Sequence, residues 1–315
     1  MKPAVTIRLL LIAALVAGAA LVWLNHHRRG ASSPRFEPTA ATVRTNASAV
    51  IGTTRTQATP VVLAPETRPI VVPNGQTAFV DRVKAIRALN RELTAEECKA
   101  FYAYLLAPAH SPAGDRQNEN WLRNVMLDKL VEQQVLPSGL ADALVAIYRD
   151  PEQDVVMRDY AIQHITPRYD RASTEEKATL SQALWQATGE TDSSIAGTAL
   201  LTLNDLAQNN TEFEKDKIAE AALKLTGNKQ CGDLSRITAV QICGRMGVTQ
   251  AAPLVLELAQ GAGSIPLRIT AIAALGDLGD QSVETFLQGI AAGSDDRLKP
   301  AAESALKRLK KKLGT

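Results

Sequence analysis

The sequence predicts an all-α protein: a right-handed α-solenoid of about six helix pairs, preceded by a transmembrane or signal helix and a disordered linker. Three observations predict this fold. Hydrophobic residues make up 45% of the chain and aromatic residues only 4%, so that Ala and Leu supply most of the apolar content. That composition favours closely packed helices. An apolar run lies near the N-terminus, and a self-similar helical pattern fills the chain from residue 77 onward.

The N-terminal apolar run indicates a membrane segment. Leu9–Leu24 contains no charged residue, and counting from Ala4 gives a stretch about long enough to span a bilayer if Arg8 snorkels outward. The small-residue site Ala17–Ala19 leaves a cleaved signal peptide open, and a buried helix of a soluble protein is a third possibility. Trp23 beside a basic cluster is typical of an interfacial anchor, so the uncleaved anchor is the favoured interpretation.

The chain divides into three regions. Residues 1–29 form the membrane anchor or signal segment, and residues 30–76 form a Pro/Thr/Ala-rich disordered linker that holds six of the fifteen prolines. Residues 77–315 form the helical repeat domain. The basic residues on the two sides of the apolar run are nearly balanced in number. A long soluble region after one N-terminal segment nevertheless favours export of the repeat domain to the periplasmic or extracellular side.

Internal repetition is clearest near the C-terminus. Arg236-Ile237-Thr238-Ala239 recurs 32 residues later as Arg268-Ile269-Thr270-Ala271. Fainter copies extend the pattern in both directions. Each copy has one anchor residue at the position of these arginines, and the anchors are Arg123, Arg158, Ala196, Arg236, Arg268 and Lys299.

The repeated pattern predicts how the helices pack. Apolar residues at i, i+4, i+7 or i+8, and i+11 line one face of a helix. A small residue such as Ala271 lets a neighbouring helix approach closely. Gly247 and Gly279 follow these helices, and we expect them to end the helices in the left-handed conformation. Because one helix pair cannot bury its own apolar face, the pairs must stack.

The segment Pro266–Asp280 resembles the second helix of a HEAT repeat. The resemblance is strong over 232–310, moderate over 118–168 and weak over 190–228, where Ala196 replaces the arginine. It is similar to bacterial HEAT-like variants. The resemblance implies an armadillo-type curved solenoid, with second helices on the concave face and a scaffold or docking role.

The resemblance also implies a role for the anchor arginines. In this family the arginine usually bonds near the inter-repeat turn, so Arg236 and Arg268 are expected to be structural. An entry pair of helices is expected at about 77–91 and 94–107, the second capped by Thr94.

A candidate partner-binding surface lies on the helix that begins near Arg158. Asp159, Tyr160 and Gln163 follow this arginine on a helix expected to face the concave side, and a merely solvated face is the alternative. Trp121 is either a peptide anchor or a core residue, and His164 is expected to be a partly buried histidine of a repeat helix.

The sequence gives no sign of an enzyme. It contains no phosphate-binding loop, no nucleophile elbow, no dinucleotide fingerprint and no paired metal-ligand motif, so we expect no catalytic residue, cofactor or metal. The only histidines are His26, His27, His110 and His164, and the only cysteines are Cys98, Cys231 and Cys243. Buried free thiols are the expected state of the cysteines. A HEAT-like lyase-type enzyme with a concave pocket is the alternative in this class.

Charge is concentrated at the two ends of the chain. Residues 1–76 carry eight Lys/Arg and two Asp/Glu, and residues 297–315 carry seven Lys/Arg and one Glu. The region between is acidic, which argues against a nucleic-acid-binding core. The basic segment Lys307–Lys312 is expected to cap the terminal repeat. The alternative is an adaptor that binds anionic lipid or nucleic acid through it.

Taken together, the residues and the resemblance predict a non-enzymatic, membrane-tethered scaffold or adaptor that docks a protein partner on its solenoid. The membrane contact is made through Leu9–Leu24, no small-molecule substrate is expected, and the sequence does not identify the partner.

Overall fold

The computed structural model describes residues 77–89, 92–108 and 115–314. The predicted anchor at Leu9–Leu24, the linker over 30–76 and His110 lie outside these residues. Within the described ranges, no helix is both long enough and apolar enough to cross a membrane.

The described residues fold into α-helices joined by short turns, with two single 3₁₀ turns at Thr249–Ala251 and Gln281–Val283 and no β-strand among them. In chain order the helices are α1 Phe79–Ala88, α2 Ala95–Leu106, α3 Arg116–Val131, α4 Leu140–Arg149, α5 Val155–Gln163, α6 Thr166–Tyr169, α7 Thr174–Ala187, α8 Ile195–Leu206, α9 Lys215–Gly227, α10 Asp233–Met246, α11 Ala252–Gln260, α12 Ile265–Leu278, α13 Glu284–Ala292 and α14 Lys299–Leu313.

The helices pack in pairs that are adjacent in the sequence. The pairs are α2 with α3, α4 with α5, α7 with α8, α9 with α10, α11 with α12, and α13 with α14. We call the earlier member of each pair the first helix and the later member the second helix. Helix α1 packs against α3, and each second helix packs against the second helix of the next pair. The result is a stacked, two-layered array consistent with a solenoid.

The layer of second helices is the more tightly packed layer from α8 to α14. Small residues make this close approach possible. A Cβ atom on Gly276 of α12 would lie 2.7 Å from the Cα of Ala305 on α14, and one on Gly244 of α10 would lie 3.5 Å from the Cβ of Ala274. Over this part of the array, the second helices therefore stack in close contact.

A continuous apolar core runs between the two layers. Ala271, predicted to lie at a helix contact, is fully buried there. A capping box lies at the start of α2. The Thr94 hydroxyl accepts from the Glu97 backbone N–H, and the Glu97 carboxylate accepts from the Thr94 N–H. The predicted N-cap is confirmed, and it aligns the first helix of the first pair.

Three of the anchor arginines, Arg123, Arg158 and Arg268, bind the ends of the first helices. The Nε atom of Arg158 donates to the Tyr148 carbonyl at 2.7 Å, and the Nε atom of Arg268 donates to the Ala259 carbonyl at 3.3 Å. Arg123 is buried and donates to three carbonyls at the end of α2 and beyond it, including that of Leu105 at 3.2 Å. These bonds satisfy orphan carbonyls of a helix C-terminus. The structural role expected of Arg268 is confirmed by this contact, although the contact lies at the turn within its own repeat and not at the turn between repeats. The same role is not seen for Arg236, whose buried Nε atom has no hydrogen-bond partner among the described residues.

The prediction for Gly279 is wrong. Gly247 has φ +68° and ends α10 in the left-handed conformation, as expected, whereas Gly279 ends α12 with φ −66° and ψ 167°, in the extended region. The reason for a glycine there is steric. A Cβ atom at Gly279 would lie 2.4 Å from Val283 Cγ2 and 2.6 Å from the Leu275 carbonyl oxygen.

The basic C-terminal helix covers the end of the array. Arg308 donates to the Ala273 carbonyl at 2.6 Å and to the Asp277 carboxylate at 3.0 Å. The Nζ atom of Lys312 donates to the carbonyls of Asp277 and Gly279, each at 2.9 Å. These cations bind the C-terminal end of α12, where the helix dipole favours positive charge. The contacts agree with the predicted capping role of this helix.

Candidate functional site

The exposed side of the second helices forms the candidate site, and we call it the inner face. On α12, Ile269, Ala273 and Asp277 are spaced four apart on one side of the helix; Asp277 is exposed, whereas Ile269 is partly buried against the core. The corresponding residues of α5 include Asp159 and Gln163. The inner face therefore crosses successive repeats with the same helical register.

An apolar stripe crosses the inner face near the start of the second helices. Trp121, Val156 and Leu234 are 44%, 42% and 62% exposed, and Pro266 is exposed as well. Each of these residues lies two positions before an anchor arginine. In α8 the same register holds Ser194, which interrupts the stripe.

The shared register gives the stripe a defined geometry. All second helices follow a first helix and a turn, so they begin at the same edge of the array. Neighbouring packed helices lie roughly 8–10 Å apart, so the stripe presents apolar groups at about that interval. We call these four residues, Trp121, Val156, Leu234 and Pro266, the apolar stripe.

The first residue of the stripe is also part of the N-terminal packing. The rings of Trp121 and Phe79 have centroids 5.2 Å apart, and the guanidinium of Arg87 lies 5.8 Å from the Trp121 ring centroid. Both partners come from α1. Trp121 therefore fits both of its interpretations in part. One edge of the ring packs against α1 as a packing residue would, and nearly half of the side chain stays exposed and could contact a peptide. Trp185 is half-buried against the core.

The predicted partner-binding residues lie on the inner face but differ in availability. The Asp159 carboxylate accepts from the Ser194 hydroxyl at 2.8 Å, which joins α5 to the start of α8. Burial raises the pKa of Asp159, and hydrogen bonds from Thr198, Ser194 and Gln163 oppose this increase. Tyr160 packs partly buried against the core, and Gln163 is exposed. Their role in binding a partner stays a prediction.

A polar junction lies at the far end of α5. The Nε2 atom of His164 lies 2.9 Å from Asn124 Oδ1 and 3.7 Å from Asp128 Oδ1, so it joins α5 to α3. Burial lowers the pKa of His164 to about 4 and raises the pKa of Asp128. The imidazole is therefore neutral at physiological pH and holds two repeats together through hydrogen bonding.

A cavity of about 660 Å³ lies away from the inner face, between α2 and the turn from α3 to α4. Its walls include Leu93, Cys98, Tyr102 and Leu136, with Lys99 at its rim. Burial raises the pKa of the Cys98 thiol, which keeps it protonated and a poor nucleophile at neutral pH. Cys98, Cys231 and Cys243 are all buried free thiols, as expected. Among the described residues, no group of three potential ligands could hold a metal ion.

Comparison with known families agrees with this geometry. The family model for HEAT repeats matches residues 233–307, which span α10 to α14. The chain contains HEAT repeats. The match covers the region where the sequence resemblance was strongest, and the preceding helix pairs stack on these HEAT repeats in the same two layers. No curated protein matches the sequence.

Sequence reasoning alone missed the apolar stripe. The signal was present, because the residue two positions before each anchor can be read from the repeat register. An exposed leucine or valine next to a helix start nevertheless has the same composition as a core residue. Ala271 and its equivalents face the core, and this fixes the orientation of each second helix. Only that orientation shows that the position two residues before each anchor lies on the inner face.

Proposed function

We propose that this protein is a non-enzymatic, membrane-tethered scaffold whose HEAT repeats dock a protein partner on the inner face. The observation that carries the proposal is the apolar stripe. Exposed apolar residues that recur at one register on four of the second helices form a shared contact surface, interrupted at Ser194, whereas isolated exposed apolar residues need no explanation. The large aromatic side chain of Trp121 is of the kind that anchors protein interfaces.

Two features support a docking role over an enzymatic one. The inner face is an open surface across several helices, and its ionisable groups Asp159 and His164 are bonded to neighbouring repeats. The described cavity lies elsewhere, and its cysteine is held as a thiol by burial. Active sites instead bring activated ionisable groups together in a pocket.

The contacts of the basic C-terminal segment favour a role in capping the terminal repeat over a role in binding a ligand. Arg308 and Lys312 bind the end of α12, so these two cations are engaged within the array. An adaptor that binds anionic lipid or nucleic acid through Lys307–Lys312 would have to work through the other lysines of the helix.

The membrane-tethered part of the proposal depends on Leu9–Leu24, on Trp23 and on the basic residues that flank them. A tether at the N-terminus followed by about 47 linker residues would leave the array free to search a layer roughly 40 Å deep above the bilayer. The proposal includes export of the repeat domain to the periplasmic or extracellular side. It also includes a right-handed sense of the solenoid.

The experiment is affinity purification from solubilised membranes with three matched full-length chains. These are the wild type, Val156→Ser/Leu234→Ser on the apolar stripe, and Val135→Ser, whose side chain is 81% exposed away from it. The proposal expects one protein to co-purify with the wild type and with Val135→Ser and to be lost with the double variant. Equal recovery with all three chains would contradict docking on the stripe. A carbonate wash of the membranes tests the tether, which requires the full-length chain to stay in the pellet.

A further inference from the structure

An acidic rim borders the apolar stripe. Residues 149–154, 188–194 and 228–233 contain the turns that lead into α5, α8 and α10 together with the adjoining helix residues Arg149 and Asp233. These three segments carry six acidic and two basic residues. The acidic residues are Asp150, Glu152, Asp154, Glu190, Asp192 and Asp233. They lie within a few residues of Val156, Ser194 and Leu234.

Part of this charge is neutralised inside the array, and part faces solvent. Arg158 binds Glu190 through two short contacts at 2.6 and 2.7 Å. Arg116 lies 3.8 Å from Asp154. Glu152 and Asp192 are exposed, and neither side chain has an ion pair among the described residues. The basic residue of the third turn, Lys229, is paired with Glu257 at 3.1 Å.

The rim and the stripe together define the chemistry of a ligand. An apolar stripe alone would accept any apolar segment, but the neighbouring carboxylates repel acidic ligands and attract basic ones. From this complementarity we infer that the inner face binds a linear segment of another protein in which apolar side chains alternate with lysine or arginine. This inference rests on the proposed function, because it names the kind of partner for the same surface.

The spacing of the stripe sets the pattern of that segment. Apolar groups on neighbouring second helices lie roughly 8–10 Å apart. A segment in the polyproline II conformation has three residues per turn and rises about 3.1 Å per residue, so every third side chain points the same way and faces a new repeat. The serine at position 194 leaves one repeat without an apolar contact, between Val156 and Leu234.

The test measures binding of labelled peptides to the full-length protein in detergent by fluorescence anisotropy. The probe is (Leu-Lys-Ser)₅, and the matched controls are (Leu-Glu-Ser)₅ and (Ser-Lys-Ser)₅. We expect the first peptide to bind at least tenfold more tightly than either control. We also expect its affinity to fall as salt is added, because exposed charges are screened.

Two sets of variants locate the site. Leu234→Ser should lower the affinity for the leucine–lysine peptide severalfold. The double variant Glu152→Gln/Asp192→Asn on the rim should lower it by a similar factor. The control Glu175→Gln/Asp216→Asn removes two exposed acids from the starts of first helices, at the other edge, and should leave the affinity unchanged. The Asn and Gln changes are isosteric and lie in exposed positions, so a loss of folding would not confuse the result.

The outcomes separate this inference from the proposed function. Equal binding of the lysine and glutamate peptides would overturn the inference, and so would binding that depends on Leu234 but not on Glu152 and Asp192. The proposed function would survive both outcomes. Val61, Val62, Val71 and Val72 belong to the linker over 30–76. If replacing these four valines by serine markedly tightened the binding of the leucine–lysine peptide, the linker itself would occupy the stripe, and this result would also overturn the inference.

Discussion

The Nε atom of Arg158 lies 2.7 Å from the carbonyl oxygen of Tyr148, so the second helix of a repeat closes the end of its own first helix. The same guanidinium binds Glu190 of the following pair. One side chain therefore joins the two helices of one repeat and the repeat to its neighbour. The corresponding bond from Arg268 to Ala259 repeats the first of these contacts.

Replacing Arg158 by methionine should lower the free energy of unfolding by about 1–3 kcal/mol. The change leaves the Tyr148 carbonyl and the Glu190 carboxylate without their donor in a partly buried place. Arg149→Met is the control, because Arg149 makes only an exposed 3.3 Å contact with Gln186 and should cost less than about 0.5 kcal/mol. Thermal unfolding followed by circular dichroism measures both. Equal shifts would contradict the bridging role of Arg158.

Replacing Gly276 by alanine should destabilise the array by about 1–3 kcal/mol, because the new methyl group would lie 2.7 Å from the Ala305 backbone and force α12 from α14. Gly289→Ala is the matched control. Gly289 is an exposed glycine within α13 with no neighbouring atom within 4 Å, so alanine should stabilise the helix by roughly 0.5–1 kcal/mol. Melting shifts of opposite sign are expected. Shifts of the same sign would count against the close stacking of second helices.

Replacing Ala271 by leucine should cost about 1–3 kcal/mol, because Ala271 is fully buried between the two layers and a larger side chain overpacks the core. Ala146 is an exposed residue of α4, and Ala146→Leu should change the free energy of unfolding by less than about 0.5 kcal/mol. Chemical denaturation of the two variants gives the comparison. A result with the two costs equal would mean that the helical register is wrong.

The protein should lose stability as the pH falls from 6.5 to 4, and His164 should account for part of the loss. Burial lowers its pKa to about 4, so the unfolded chain takes up the proton first and the folded state is penalised by up to about 3 kcal/mol. The contribution of neutral His164 to stability is fully present above the ordinary histidine pKa of 6.5 and is lost as the pH falls toward 4. The raised pKa values of Asp128 and Asp159 act in the opposite direction, since the folded state binds those protons more readily.

Comparison with His164→Gln isolates the histidine from these carboxyl groups. Glutamine can still hydrogen-bond Asn124 but does not titrate. The difference in unfolding free energy between wild type and variant should shrink or reverse in favour of the variant between pH 6.5 and 4. If the difference in unfolding free energy stayed constant between pH 6.5 and 4, the lowered pKa of His164 would be contradicted.

The repeat pattern predicted the fold well because it encodes burial. Ala271 and its equivalents face the core in every well-matched copy, and Arg158, Arg236 and Arg268 mark the first turn of their second helices. The contacts of these arginines were predictable only in kind. Arg158 and Arg268 both bind a backbone carbonyl of their own first helix, and Arg158 also binds Glu190 of the next pair. Whether this second partner is within reach depends on distances between repeats that local sequence does not specify.

The candidate site was predicted only in part. Asp159, Tyr160 and Gln163 lie on the second helix as expected, but the bond from Ser194 to Asp159 crosses 35 residues of sequence. A register argument cannot foresee such a contact. The sequence likewise contains Leu234, but not the information that a turn leaves it exposed. Gly279 was misjudged because two different constraints, a left-handed turn and a close contact, select the same residue.

Site-specific photo-crosslinking tests docking on the inner face most directly. A benzophenone amino acid placed at Leu234, on the apolar stripe, or at Val135, exposed at 81% elsewhere, reports which surface touches a partner in intact cells. Docking on the inner face predicts a crosslink from position 234 to one other protein, and none to that protein from position 135. A crosslink to that protein from position 135 with none from position 234 would contradict it.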